Sequence, residues 1–85
     1  MRVQVFSTLR GALGGRSSVE LEHVGTWSVK ELLAELEKQF PGFREKLHEG
    51  VSILVNGRNI AFLQGLETDV PPDAVVSFIP PSAGG

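Results

Sequence analysis

The sequence predicts an α+β domain in which one main helix lies across a small mixed sheet. Three observations carry that prediction. Two short alternating segments open the chain, one stretch with helical periodicity follows, and further strand-like segments close it. The predicted order is therefore β-β-α-β-β-β.

Arg2-Val3-Gln4-Val5-Phe6 alternates and reads as the first strand, with Val3 and Val5 facing the core. Residues 7–18, STLRGALGGRSS, read as a loop in which Leu9 and Leu13 pack back as a short helical turn and Gly14-Gly15 supplies turn geometry. Val19-Glu20-Leu21-Glu22 alternates again and is expected to pair with the first strand as a hairpin. Ser28 and Glu31 fit the capping box S-x-x-E. After them Val29, Leu32, Leu33, Leu36 and Phe40 recur on one helical face, and Pro41-Gly42 stops the helix. Phe43 to Leu47 reads as one further turn. Trp27 is expected as a lid over the start of the helix, and His23 and His48 as surface residues.

Val51 to Val55 is the strongest strand by propensity. Asn56-Gly57 is a favoured hairpin turn, and Arg58-Asn59-Ile60 returns as a short strand. Residues 61–74 read as irregular, punctuated by Gly65 and a Pro71-Pro72-Asp73 turn. Val75 to Ile79 is the last strand. Pro80 and Pro81 end it, because proline has no amide hydrogen for a sheet ladder.

The chain of 85 residues makes one domain, with 41% apolar and 21% charged residues, ordinary values for a globular fold. A net charge of −2 and scattered basic residues argue against a nucleic-acid partner. No apolar run is long enough for a membrane span. The sequence has no cysteine, which removes disulfides, thiolate metal sites and a thiol nucleophile together and favours a cytoplasmic home. Two histidines without ligand spacing leave no expected metal site. Arg10, Lys46 and Arg58 read as solvated charges.

The last eight residues, FIPPSAGG, carry the functional argument. Glycine has no side chain, so Gly84-Gly85 can enter a channel too narrow for other residues. Pro80 and Pro81 bias the preceding segment toward extended geometry. The expectation is a domain over residues 1–79 and a flexible tail over 80–85 that holds a carboxylate away from the globule.

These residues bring a family into view. The opening VQVFSTLRGALGG, the helix SVKELLAELEKQFPGF, the strand and turn ILVNGRNI and the ending VVSFIPPSAGG together resemble the small sulfur-carrier proteins of the MoaD/ThiS type. NGRNIAFLQGLETDV is similar to the MoaD-like subgroup. Pro72-Asp73-Ala74 stands where the family usually has an Asp-Gly-Asp turn, and Ser82 where Val or Thr is common. The resemblance implies a ubiquitin-like β-grasp fold with the first and last strands paired in mid-sheet. It also implies a carrier rather than an enzyme. A ubiquitin-activating-type (MoeB/ThiF-like) partner would use ATP and Mg²⁺ to adenylate the Gly85 carboxylate, and a sulfur donor would convert the adenylate into a thiocarboxylate. The carrier itself would bind no cofactor. Gly84, Ala83, Ser82, Pro81 and Pro80 would thread the partner's channel. By the same resemblance Val76 and Phe78 are buried, while Ile79, with Phe6 and Phe62 as neighbours, is a candidate docking contact.

The expected acceptor is the large subunit of molybdopterin synthase, with this chain as the small subunit. Carriers for cysteine biosynthesis, tRNA thiolation or protein conjugation are the alternatives within the family. A β-grasp module that docks without chemistry is the alternative of another class.

Overall fold

The computed structural model describes residues 1–47 and 49–81. Its strands are β1 (Arg2–Val5), β2 (Ser18–Glu20), β3 (Trp27–Ser28), β4 (Ser52–Val55), β5 (Arg58–Asn59), β6 (Asp69–Val70) and β7 (Val75–Ile79). The main helix, α1, spans Val29–Gln39, and 3-10 helices cover Ser7–Leu13, Arg44–Lys46, Ile60–Phe62 and Gly65–Glu67. Five strands form one sheet in the order β2-β1-β7-β4-β5, while β3 and β6 pair separately.

The ladder at the centre is parallel, with Val3 opposite Val76 and Val5 opposite Phe78. Its neighbours are antiparallel on both sides. The first and last strands of the domain are thus the inner strands of the sheet, the β-grasp arrangement.

Helix α1 begins where the sequence places it. The Ser28 hydroxyl accepts from the Glu31 amide at 3.1 Å, and the Glu31 carboxylate accepts from the Ser28 amide at 2.9 Å. Two amides that the first turn leaves unpaired are satisfied reciprocally. Val29, Leu32, Leu33 and Leu36 are buried against the sheet. Past the helix, the Glu37 carboxylate accepts from the amides of Gly42 at 2.8 Å and Arg44 at 3.0 Å. Those bonds, led by the one from Arg44, hold its carboxyl below the usual range.

Phe43 is fully buried and meets Phe78 edge to face, with ring centroids 5.3 Å apart. Such a pair contributes about 0.5–1.5 kcal/mol beyond its buried area. Leu9 and Leu13 pack inward from the first 3-10 helix, as their spacing predicts. At the hairpin, Asn56 and Gly57 take φ values of 51° and 82°, both left-handed, as a two-residue turn of this kind requires. Asn56 also bonds the last strand. Its amide donates to the Val75 carbonyl at 2.8 Å, and its side-chain oxygen accepts from the Val75 amide at 2.9 Å.

Three expectations are corrected. The second strand spans Ser18–Glu20 rather than Val19–Glu22: the register runs out of partners at the chain's first residue, where Leu21 and Met1 still exchange bonds of 2.8 and 2.9 Å. Residues 61–74 are not structureless: they hold parts of two 3-10 helices and β6, which pairs with β3. Trp27 is a strand residue opposite Val70, and its ring stacks on His23 at 3.7 Å with the planes 2° apart. His23 is accordingly half-buried, and both its ring nitrogens are buried without a hydrogen-bond partner among the described residues. His48 lies outside the described residues.

Candidate functional site

Strand β7 builds the site. Alternation along it sends Val76 and Phe78 inward to full burial and leaves Val75, Ser77 and Ile79 on the opposite face. Helix α1 covers the inner side, and Ile79 stays 37% exposed. The parallel register pairs Val5 with Phe78, so one further step sets Phe6 beside Ile79. Phe6 keeps extended geometry, with φ −125° and ψ 152°, and is 42% exposed. The chain then breaks sharply at Ser7, whose φ of 51° is unusual outside glycine.

Phe6 and Ile79 therefore both lie at the end of the central ladder from which the chain continues to Pro80. Phe62 stands elsewhere. It follows β5, separated from β7 by β4, and is 87% exposed. Its own surroundings are apolar. Leu63 and Leu66 are exposed nearby in the chain, and a groove of about 340 Å³ is lined there by Val51, Ile53, Ile60, Ala61 and Leu66 among others. Sequence reading missed this groove, since Val51 and Ile53 carry only the ordinary signal of a strand.

Between these apolar points the outer face is polar. The Gln4 side-chain amide donates to the Ser77 hydroxyl at 3.1 Å across the central ladder, and Arg2 pairs with Glu20 at 2.9 Å. Next to Phe6, a pocket of about 250 Å³ is lined by Gln4, Ser7, Arg10, Ser17 and Ser18 as well. Arg10 thus borders the predicted docking residue. Lys46 instead donates to the Gly11 carbonyl at 3.4 Å.

Pro80 is half-buried and Pro81 exposed, and they follow β7 directly in the chain. Ser82, Ala83, Gly84 and Gly85, expected to thread a channel and present the carboxylate, lie outside the described residues. Among the described residues no group of three or more His, Asp or Glu side chains is placed to hold a metal ion. No helix there is long and apolar enough to cross a membrane.

Fold and site together define a ubiquitin-like β-grasp protein whose last strand is central in its sheet. A sequence model of the ThiS family matches residues 3–85. The chain belongs to that family. It is similar to small archaeal modifier protein 3 of Haloferax volcanii, 30% identical over 91 residues that take in all of this chain and 98% of the relative. Among solved structures it resembles a chain of the BexX/CysO complex of Amycolatopsis orientalis, with a TM-score of 0.85 and 28% identity, covering 99% of this chain and 98% of that one. The putative molybdopterin converting factor subunit 1 of Pyrococcus furiosus is also similar, with a TM-score of 0.75, 28% identity and 94% of each chain covered. These relatives are small carrier and modifier proteins, and the Amycolatopsis orientalis chain was solved in a complex of BexX and CysO.

Proposed function

We propose that this protein is a sulfur carrier whose reactive group is the Gly85 carboxylate. One observation carries the reading. The ThiS family match runs through residue 85, and central strand β7 is followed in sequence by Pro80-Pro81 and then by Ser82-Ala83-Gly84-Gly85, small residues without a reactive side chain suited to the chemistry. In the proposed cycle the carboxylate oxygen attacks the α-phosphorus of ATP held by an adenylating partner, and pyrophosphate leaves. A sulfide-level nucleophile then attacks the acyl carbon, the bond to the phosphate oxygen breaks, and AMP departs. The product is a C-terminal thiocarboxylate that a second enzyme accepts.

The carrier's own part is placement. Ile79 and Phe6 supply adjacent apolar contacts at the tail's base, and Arg10 adds a charge beside them. Stabilising charge at phosphorus falls to the partner and its Mg²⁺. For the acceptor, the small-subunit role in molybdopterin synthase is the first reading. A carrier serving an acceptor of another pathway is the second, favoured by the higher TM-score with the CysO complex, 0.85 against 0.75, at equal identity.

Intact mass tests the core of the proposal. The full chain is incubated with an adenylating enzyme from its own genome, ATP, Mg²⁺ and sulfide. A gain equal to the difference between sulfur and oxygen is expected. No gain, together with full biological function of a chain lacking Gly85, favours a docking module without chemistry. Mixing loaded carrier with a molybdopterin synthase large subunit and its precursor then separates the two destinations.

A further inference from the structure

The patch around Phe62 carries a knob and a hole side by side. The hole has its origin in the sheet. Strand β7 pairs with all of β4, from Ser52 to Val55, but β5 pairs only with Leu54 and Val55. After Asn59 the chain leaves the ladder for the 3-10 helix Ile60–Phe62. The first half of β4 thus keeps a bare edge on that side, and the groove of about 340 Å³ is the gap between it and the two 3-10 helices beyond β5. Pro81 packs on Gly50 at one end: an added Cβ on Gly50 would stand 3.3 Å from the Cβ of Pro81. The opposite wall, at Ala61 and Leu66, is exposed. Bare strand edges are usually guarded by charged side chains, and among the described residues no charged one lines this groove. The knob is Phe62, next in the chain to Ala61. The Asn59 side-chain oxygen accepts from the Ala61 amide at 2.9 Å, and the Leu63 amide donates to the Ile60 carbonyl at 2.9 Å. The turn that holds the ring is pinned on both sides, while the ring itself is 87% exposed.

We propose that this patch is a self-association surface, on which Phe62 of one copy enters the groove of a second copy, and the reverse, across a two-fold axis. A closed pair of this kind needs both halves of the fit on one patch, and the chain carries both there. Charge points the same way. Arg58 and Glu67 are exposed on the elements either side of Phe62, are opposite in sign, and form no ion pair among the described residues. A two-fold reverses one copy relative to the other, which brings each Arg58 toward Glu67 of the second copy. Area sets the strength. One aromatic side chain buries about 150–250 Å². Two rings, the groove walls they cover and the exposed Leu63 and Leu66 beside them come to roughly 1,000 Å², at the lower limit for a specific interface. The pair is therefore weak and reversible, with a Kd on the order of 100 µM. It uses neither Phe6 nor Ile79, so it goes beyond the carrier reading and stands without it.

The test is sedimentation equilibrium of the full chain at concentrations from about 10 µM to about 1 mM, which bracket that Kd. The weight-average mass should climb from one chain toward two and stop there. Phe62→Ala, at an exposed site, should leave the urea midpoint unchanged and weaken association at least about 10-fold. Ala61→Glu, which sets a charge on the groove wall, should do the same from the other half of the fit. Arg58→Glu and Glu67→Arg should each weaken association by about 3-fold, and the double variant should recover it. In a mixture of labelled and unlabelled chains, isotope-filtered Overhauser contacts should join the Phe62 ring to the methyls of Val51 and Ile53. One chain's mass at every concentration overturns the proposal and leaves the groove to another occupant, a segment of a different protein or of the same chain. Growth past two copies, association that ignores Phe62→Ala, or filtered contacts to some other surface overturns it as well.

Discussion

The two faces of β7 are made by the same five residues and meet opposite fates. Val76 and Phe78 are fully buried under α1 and Phe43, whereas Val75, Ser77 and Ile79 face outward. The inner face is closed by contacts within the chain. The outer face keeps partly exposed apolar side chains at Val75, Ile79 and neighbouring Phe6. One strand thus holds the fold with one side and leaves the other partly exposed, so that, on the proposed carrier reading, folding and docking can be damaged separately.

The sharpest way to break this comparison is from within. Phe78→Ala removes the ring that meets Phe43 and should cost about 3–5 kcal/mol, read as a lowered urea midpoint. If it cost as little as a surface change, the division between faces would be wrong. Next comes the outward neighbour. Ile79→Ala should change stability by less than about 1 kcal/mol, yet weaken binding to the activating partner by about 10-fold or more. Unaltered binding would remove Ile79 from the docking surface. Ser28→Ala breaks the capping box far from both faces and should cost about 1 kcal/mol with carrier activity unchanged at temperatures where the protein stays folded. Gly84→Ala should leave the urea midpoint where it is and slow loading by crowding the channel.

The smallest effect concerns pH. Bonds from the Arg44 and Gly42 amides hold the Glu37 carboxyl below its ordinary value. A depressed folded-state value means stability that is fully present above the unfolded-state value and is lost as pH falls through the folded-state one. Glu37→Gln should therefore flatten part of the acid limb of a stability–pH curve. An unchanged limb would show that these bonds do not distinguish the folded state.

Much of the fold could be read before any coordinates. The capping box, the helix face, the Asn56-Gly57 turn and the bounds of β7 follow from local rules, and the structure has each of them. The parallel pairing of first and last strands, which the family resemblance implies, was also legible, and it puts Phe6 and Ile79 at one end of the sheet. What escaped depends on distant partners. Strands β3 and β6 have two residues each, too few for any periodicity, and exist only because Trp27 meets Val70. The stack of Trp27 on His23 leaves no trace in spacing or composition. The meeting of Gly50 and Pro81 needs the register of β4 on β7, which sequence alone does not fix.

The position of β7 bears on force. Backbone bonds to β1 on one side and β4 on the other run across the strand, and Gln4 to Ser77 adds a side-chain tie. A pull along the axis of β7, such as a machine gripping the tail would apply, loads both ladders in shear. Bonds loaded that way must give together, whereas an edge strand peeled sideways loses them one at a time. The chain beyond Ile79 is thus attached to the strand that this small sheet holds from both sides, and a load applied there meets two ladders at once.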